Sequence, residues 1–268
     1  MKSALTIIKE HIENFYLILR LSLFEIKSAN NNHYLGMLWE VLNPLIQIGI
    51  FAFVFGYGIR GGEDVGDYRY LPWMLSGISV WFFISPSLLE ASRSIYTRIQ
   101  IISKMNFPMS VIPAFVITSK FYHHLILVVI IMIILSFYDI SISIYFLQLP
   151  YFLLATFAIL ISISLITATL STIVRDVQMV VQSIVRVLLY ISPVLWTVDK
   201  LPGYIQTIMK INPFYYIVEG YRAALLGSGW YMVDNLSYSL YFWVVVISLL
   251  VIGSYLHKRF KDHFIDYL

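Results

Sequence analysis

Cysteine is absent from this chain, and charge is scarce. With no thiol there is no disulfide framework, no thiolate nucleophile and no Cys-based metal site. Lys, Arg, Asp and Glu make up only 12% of the 268 residues. A soluble domain averages about 25%, so this chain could not cover a water-facing surface. No Gly-Lys dipeptide occurs, which removes a Walker A loop and ATP hydrolysis by that mechanism. G-x-S-x-G and H-E-x-x-H are also missing. The first three long apolar runs hold no Asp or Glu, where a proton-coupled carrier would keep its acids. No cleavable signal peptide is evident, since the first such run begins near Val41, too late for a secretory h-region.

What the chain has instead is apolar sequence, with 59% hydrophobic residues and a mean hydropathy of +0.79. The runs are continuous rather than alternating, which excludes a β-barrel. They predict an all-α polytopic membrane protein, because lipid leaves every backbone polar group to be satisfied within its own helix. Six spans are expected against the roughly 20 residues a bilayer needs. They are Val41–Ile59, Leu71–Leu89, Phe121–Tyr138, the part of Ile140–Val174 from about Pro150, Val177–Val198 with Arg186 inside it, and Leu236–Leu256. Of the eighteen Lys and Arg residues, twelve fall on the side of the termini. Five (Arg60, Arg69, Lys200, Lys210 and Arg222) fall on the other. That imbalance puts both termini in the cytoplasm of a multi-pass plasma-membrane protein.

Three segments fit no span. Leu5, Ile8, Ile12, Phe15, Leu19 and Leu23 step by three or four, predicting an amphipathic helix in the cytoplasmic interface. It serves as an anchor or as a sliding surface that touches a soluble partner. The loop "TRIQIISKMNFPMSVIP" sets Ile99, Ile102 and Met105 beside Arg98 and Lys104, and Pro108 disfavours helix at Phe107. It reads as an interfacial loop or as a knob for a soluble partner. The stretch with Pro193, Pro202 and Pro213 is too apolar for a free loop and too broken to cross. Two short helices dipping into the outer leaflet are expected there, covered by protein or lining a wet cavity.

Charges inside apolar sequence need a reason, since one at the bilayer centre costs about 2.5–3.5 kcal/mol on insertion scales. Glu219 and Arg222 are three apart, so a helix puts them on one face where they can pair; the alternative is a water-filled path near the outer interface. His123 and His124 are adjacent and point about 100° apart on a helix, so they are not an i, i+4 metal pair. They are expected to cap or snorkel near the cytoplasmic end of the third span. Aromatics load the first, second and fifth spans, among them Trp39, Phe53, Trp81, Phe82, Phe83 and Tyr190. Interface belts account for Trp39, Trp73 and Trp196. The interior rings are either core or the wall of a path for sugar faces and lipid tails.

Four stretches now gain weight from their order: "YLGMLWEVLNPLIQ" (34–47), "SKMNFPMSVIPAF" (103–115), "VRDVQMVVQSIVRVLLYISPVLW" (174–196) and "NPFYYIVEGYRAALL" (212–226). Together they resemble the ABC-2 type permeases that export polysaccharides. The terminal stretches "KEHIENFYLILRLSLFEIK" and "YLHKRFKDHFIDYL" look like the wall teichoic acid translocation subgroup. The resemblance implies one ABC-2 type transmembrane domain over 1–268. Within it, 1–36 is a cytoplasmic interface helix and lead-in, 37–256 a six-span bundle and 257–268 a cytoplasmic tail. It implies a homodimer bound to two copies of a separate ABC ATPase subunit, which carries the ATP and Mg. No cofactor, metal or catalytic residue is implied on this chain, and no nucleic-acid partner. The implied substrate is an anionic polymer linked to undecaprenyl diphosphate. Ser103, Lys104, Met105, Asn106, Phe107 and Pro108 would form the coupling helix that docks on the ATPase. The segment 199–227 would hold paired outer gate helices, with Pro193, Trp196, Asn212, Pro213, Glu219 and Arg222 as gate residues. An O-antigen or capsule exporter is the same-class alternative. A membrane-embedded glycosyl- or acyltransferase would need a concentrated set of nucleophile, base or metal ligands, which the sequence does not offer.

Overall fold

The charge-free runs fold as helices, and some helices run past the charges expected to end them. A computed structural model describes residues 2–30, 34, 36–59, 61–99, 107–199, 201–262 and 264. Its helices are α1 (Lys2–Glu13), α2 (Phe15–Asn30), α3 (Trp39–Phe51), α4 (Tyr70–Arg93), α5 (Val111–Ser136), α6 (Leu149–Ile173), α7 (Val177–Ile191), α8 (Gly203–Met209), α9 (Pro213–Leu226), α10 (Tyr231–Asp234) and α11 (Leu236–Phe260). α3 continues into wider π turns over Ala52–Ile59. Among the described residues, five helical stretches are long and apolar enough to cross a bilayer: Trp39–Ile59, Tyr70–Arg93, Val111–Ser136, Ile144–Ile173 and Leu236–Phe260.

Two expected boundaries move, each for a local reason. The third span does not begin at Phe121 but at Val111, so Lys120 lies inside the helix. Its ammonium sits 3.5 Å from the Glu90 carboxylate of α4, and a charge with a partner no longer has to end a membrane helix. His123 and His124 are therefore mid-helix residues, not end caps. The expected fifth span, Val177–Val198, is helical only to Ile191. Ser192 turns extended because Pro193 follows it, leaving α7 about 22 Å long, short of the roughly 30 Å hydrocarbon layer.

α4 is the axis of the bundle and touches α5, α6, α7 and α9. Of its apolar window 72% is buried, against 11% for the first span, which makes α3 a peripheral helix. Small residues allow this close packing. A Cβ at Gly220 of α9 would land inside the ring of Phe152 on α6. The buried hydroxyls of Ser76 and Ser79 each donate to the carbonyl three residues back, at 2.8 Å, which satisfies them within their own helix.

The elements sort to two ends. At the end carrying both termini, Ser110 donates to Glu10 at 2.5 Å, Arg98 pairs with Glu25, and Thr169 meets His257 at 3.2 Å. At the opposite end, Tyr70 donates to the Leu195 carbonyl and Gln148 to the Gly229 carbonyl, both at 2.8 Å. The N-terminal stripe of Leu5, Ile8, Ile12, Phe15 and Leu23 points away from the bundle, and Ala4, Ile7, Ile18 and Ile26 pack inward. α1 and α2 thus present a second apolar face outward, as an interface helix requires.

Candidate functional site: a cleft with charges at one end and rings at the other

A cleft of about 1000 Å³ runs between α3, α4, α5 and α7. Its terminal end is lined from the first turns of α3 and α7 and the last turn of α4, by Glu40, Gln178, Glu90 and Arg93. Lys120, His123 and Arg186 line it further in, and Phe51, Trp81, Phe82, Leu127 and Leu189 close its apolar part. The polarity follows from helical spacing. Glu40, Asn43 and Gln47 step along one face of α3, and Gln178, Gln182 and Arg186 along one face of α7. Ser92 donates to Gln178 at 2.5 Å and Gln178 donates to the Leu89 carbonyl at 3.2 Å, fixing the start of α7 against α4.

The charges in this cleft are loosely held. Arg93 and Lys120 share one oxygen of Glu90, at 3.6 and 3.5 Å, beyond the usual range of a charge-assisted hydrogen bond. Arg186 makes no ion pair among the described residues. His123 Nδ1 meets the Ser119 carbonyl at 3.1 Å, while its Nε2 is buried with no hydrogen-bond partner among the described residues. His124 is 2% exposed, stacks on Phe83 at 5.0 Å and bonds the Tyr221 hydroxyl at 3.0 Å. It ties α5 to α9.

Of the rings expected along a path, Trp39, Trp81 and Phe82 line the cleft. Phe83 does not, because one step around α4 turns it wholly into the core against Phe121, Phe157 and His124. Phe53 and Tyr190 are also off the cleft, exposed on the π turns that follow α3 and on α7. Trp73, expected in an interface belt, is buried instead. Glu40, Asn43, Gln47, Gln178, Gln182 and the Glu90–Arg93–Lys120 cluster were not expected at a site. The stripes of α3 and α7 are periodic in the sequence, but only the fold brings them together.

The opposite end holds the gate candidates. Asn212 caps α9 by accepting from the Phe214 amide at 3.0 Å, and its amide donates to Ser192 Oγ at 2.9 Å. Pro213 occupies the first turn, where its missing N–H costs nothing. Gly227 closes the helix at φ +73°, which only glycine adopts without strain. Between these caps, Arg222 pairs with Glu219, donates to the Pro193 carbonyl at 2.7 Å and to the Trp73 carbonyl at 3.4 Å, and lies 3.7 Å over the Trp73 ring. Losing Glu219 would therefore not strand Arg222 outright. Trp196 donates to the Tyr190 carbonyl at 2.8 Å, folding the chain back over the end of α7.

Of the coupling candidates, Ser103, Lys104, Met105 and Asn106 lie outside the described residues. Phe107 and Pro108 line a cavity of about 200 Å³ with Ile7 and Glu10 of α1 and His257 of α11. Ile99, expected on an exposed knob, is 1% exposed and belongs to the core.

Five helical stretches able to cross a bilayer, packed around a cleft, define a multi-pass membrane protein. The chain belongs to the ABC-2 type transporter family, whose profile matches residues 16–226. It is 25% identical over 245 residues to an O-antigen export system permease protein RfbA of Klebsiella pneumoniae, covering 91% of this chain and 92% of that one. A second Klebsiella pneumoniae protein of that name is 24% identical with the same coverage. One from Myxococcus xanthus is 25% identical over 96 residues, covering 36% of this chain and 35% of its own length. These relatives carry the O-antigen name, the alternative in the sequence reading, rather than that of wall teichoic acid.

Proposed function

We propose that this chain is the membrane subunit of an ATP-driven exporter of a lipid-linked polysaccharide, and that the cleft is its share of the polymer path. The observation that carries this reading is the match to O-antigen export permeases over nine-tenths of both chains. The cleft supports it, since the excess of cationic side chains at one end suits an anionic, hydrated cargo and Trp81 and Phe82 offer flat apolar faces to sugar rings. The polymer is of the O-antigen kind rather than wall teichoic acid, because full-length relatives carry that name.

In this reading two copies of the chain assemble with two copies of a separate ATPase subunit, which binds ATP and Mg. α7 and the bent segment after it complete a sixth crossing, and both termini lie in the cytoplasm of the plasma membrane. The loop 103–108 docks on the ATPase, and α8 and α9 form the outer gate around Asn212, Pro213, Glu219 and Arg222. Mild purification of the tagged chain from native membranes, followed by mass spectrometry, tests it. A stoichiometric subunit with a Walker A loop is expected, lost when Phe107 and Pro108 are replaced by Ala and Gly. A chain that arrives alone ends the exporter reading.

A further inference from the structure

The first span changes its winding partway across. Trp39–Phe51 is α-helical, and Ala52–Ile59 forms eight residues of π turns, whose N–H groups bond five residues back instead of four. Such turns are rare and mostly single, since each takes in a residue that an α-helix would not need. The two halves of this helix are held differently. The half toward the terminal end turns Glu40, Asn43 and Gln47 to the cleft and buries Ile48. Rotating it would carry those polar groups toward lipid, which is costly. The π half offers only apolar side chains and one tyrosine. Phe53, Val54, Tyr57 and Ile59 are exposed, so lipid does not fix its rotation.

The buried residue of the π half is Gly56, where a Cβ would stand 3.2 Å from the ring of Tyr70 at the start of α4. Tyr70 donates to the Leu195 carbonyl at 2.8 Å. Leu195 adjoins Trp196, which folds the chain back over α7, and lies two residues from Pro193, whose carbonyl accepts from Arg222. Past the π turns, Gly61, Gly62 and Gly66 all have positive φ, a freedom that lets this connection follow a moving helix end.

We propose that the π turns of Ala52–Ile59 are a register switch acting on the outer end of the bundle. In the structure Gly56 faces Tyr70, and Leu195 is held. In the second state the segment winds as α-helix while the half toward the terminal end stays in place. One surplus residue is released, so the outer half turns by about 100° and lengthens by about 1.5 Å. π turns wind less per residue than α turns, so the tighter winding brings Phe55 to the place of Gly56. A phenyl ring does not fit a contact made by glycine. Tyr70 is pushed aside, its bond to Leu195 breaks, and the fold-back over α7 loses a tie. Each backbone N–H keeps a helical partner in both windings, so the two states differ by a few side-chain contacts and can coexist. The switch needs no assumption about the cargo.

The test uses the full-length chain, with any subunit that copurifies, in lipid nanodiscs. The chain has no native cysteine, so nitroxides can be placed by Tyr57→Cys and by Ile133→Cys on α5, both exposed positions. Pulsed electron resonance reads the distance between them, with labelled chain diluted by unlabelled chain. Two distances are expected, up to roughly 8 Å apart for a 100° swing at the radius of a helix with its side chains. Deleting Val54 removes the surplus residue and should leave one distance, that of the latched state, in a chain that still folds. Gly56→Ala crowds Tyr70 in the latched state alone and should shift the population severalfold toward the other distance. Gly58→Ala, whose Cβ would have only the Phe53 carbonyl near it, at 3.8 Å, should change nothing. A single distance that Gly56→Ala leaves unmoved overturns the switch. So does an equal shift by Gly58→Ala, which would report helix propensity and not the latch. Misfolding on deletion of Val54 overturns it as well, because the segment would then hold no surplus residue.

Discussion

One arginine, Arg222, and a set of three cations, Arg93, Lys120 and Arg186, sit in this membrane bundle under opposite conditions. Around Arg222 every direction is engaged: a carboxylate, two backbone carbonyls and an indole face close on a guanidinium that is 5% exposed. Among the described residues, Arg93 and Lys120 meet Glu90 only at 3.6 and 3.5 Å, and Arg186 makes no ion pair. A satisfied buried charge fixes architecture, because moving it would orphan its partners. A loosely paired one beside a cavity can be changed at little cost to the fold.

The comparison breaks hardest at Arg222. Arg222→Met keeps the volume but leaves Glu219 and the Pro193 carbonyl without their donor. Removing one partner of a buried pair costs about 3–5 kcal/mol. Thermal unfolding in detergent should show a large loss, and α9 should come away from α4. The chain has no native cysteine, so Ala223→Cys, at a buried position of α9, should become reactive to maleimide only in that background. An unchanged melting temperature would mean that Arg222 is not the knot described here.

Gly77 sharpens the same region from the other side. A Cβ at this position of α4 would land on the guanidinium, so Gly77→Ala must push Arg222 off Trp73. Overpacking of this kind costs about 1–3 kcal/mol. Glu219→Gln should cost less, about 1 kcal/mol, because the two carbonyls and the ring still hold Arg222. A ranking by melting temperature of Arg222→Met below Gly77→Ala below Glu219→Gln is the signature of a shared clamp. A Glu219→Gln loss equal to that of Arg222→Met would show a simple ion pair.

The two regions also differed in how far the sequence revealed them. α9 is spelled out locally: Asn212 as cap, Pro213 in the first turn, Gly227 as the left-handed stop, and Glu219 and Arg222 one turn apart. Its contacts with Trp73, Gly77 and Pro193 come from elements distant in sequence and could not be read. The cleft was less legible. Lys120 looked like the end of a span because its partner Glu90 lies on another helix thirty residues earlier. That error displaced His123 and His124 from mid-helix to a helix end. Phe82 and Phe83 look alike in sequence, yet one faces the cleft and the other the core, and nothing in an apolar run separates them.

The smallest effect is expected at Arg186, and it is the one that defines the contrast. Arg186 makes no ion pair among the described residues and lines an open cavity. Arg186→Gln keeps a polar but shorter side chain and removes the charge and the guanidinium fork. Stability should therefore change by no more than about 0.5 kcal/mol, as for substitutions that break no packed or hydrogen-bonded feature. If the cleft is the polymer path proposed above, export measured in cells carrying the variant should still fall, because the lost charge lines that path. Arg186→Lys should restore export in part, since charge returns without the planar fork. A melting temperature that drops as far as that of Gly77→Ala would place Arg186 with Arg222 among the architectural charges. Full export at unchanged stability would instead take Arg186 out of the cargo's path and leave the cleft's polarity to Arg93 and Lys120.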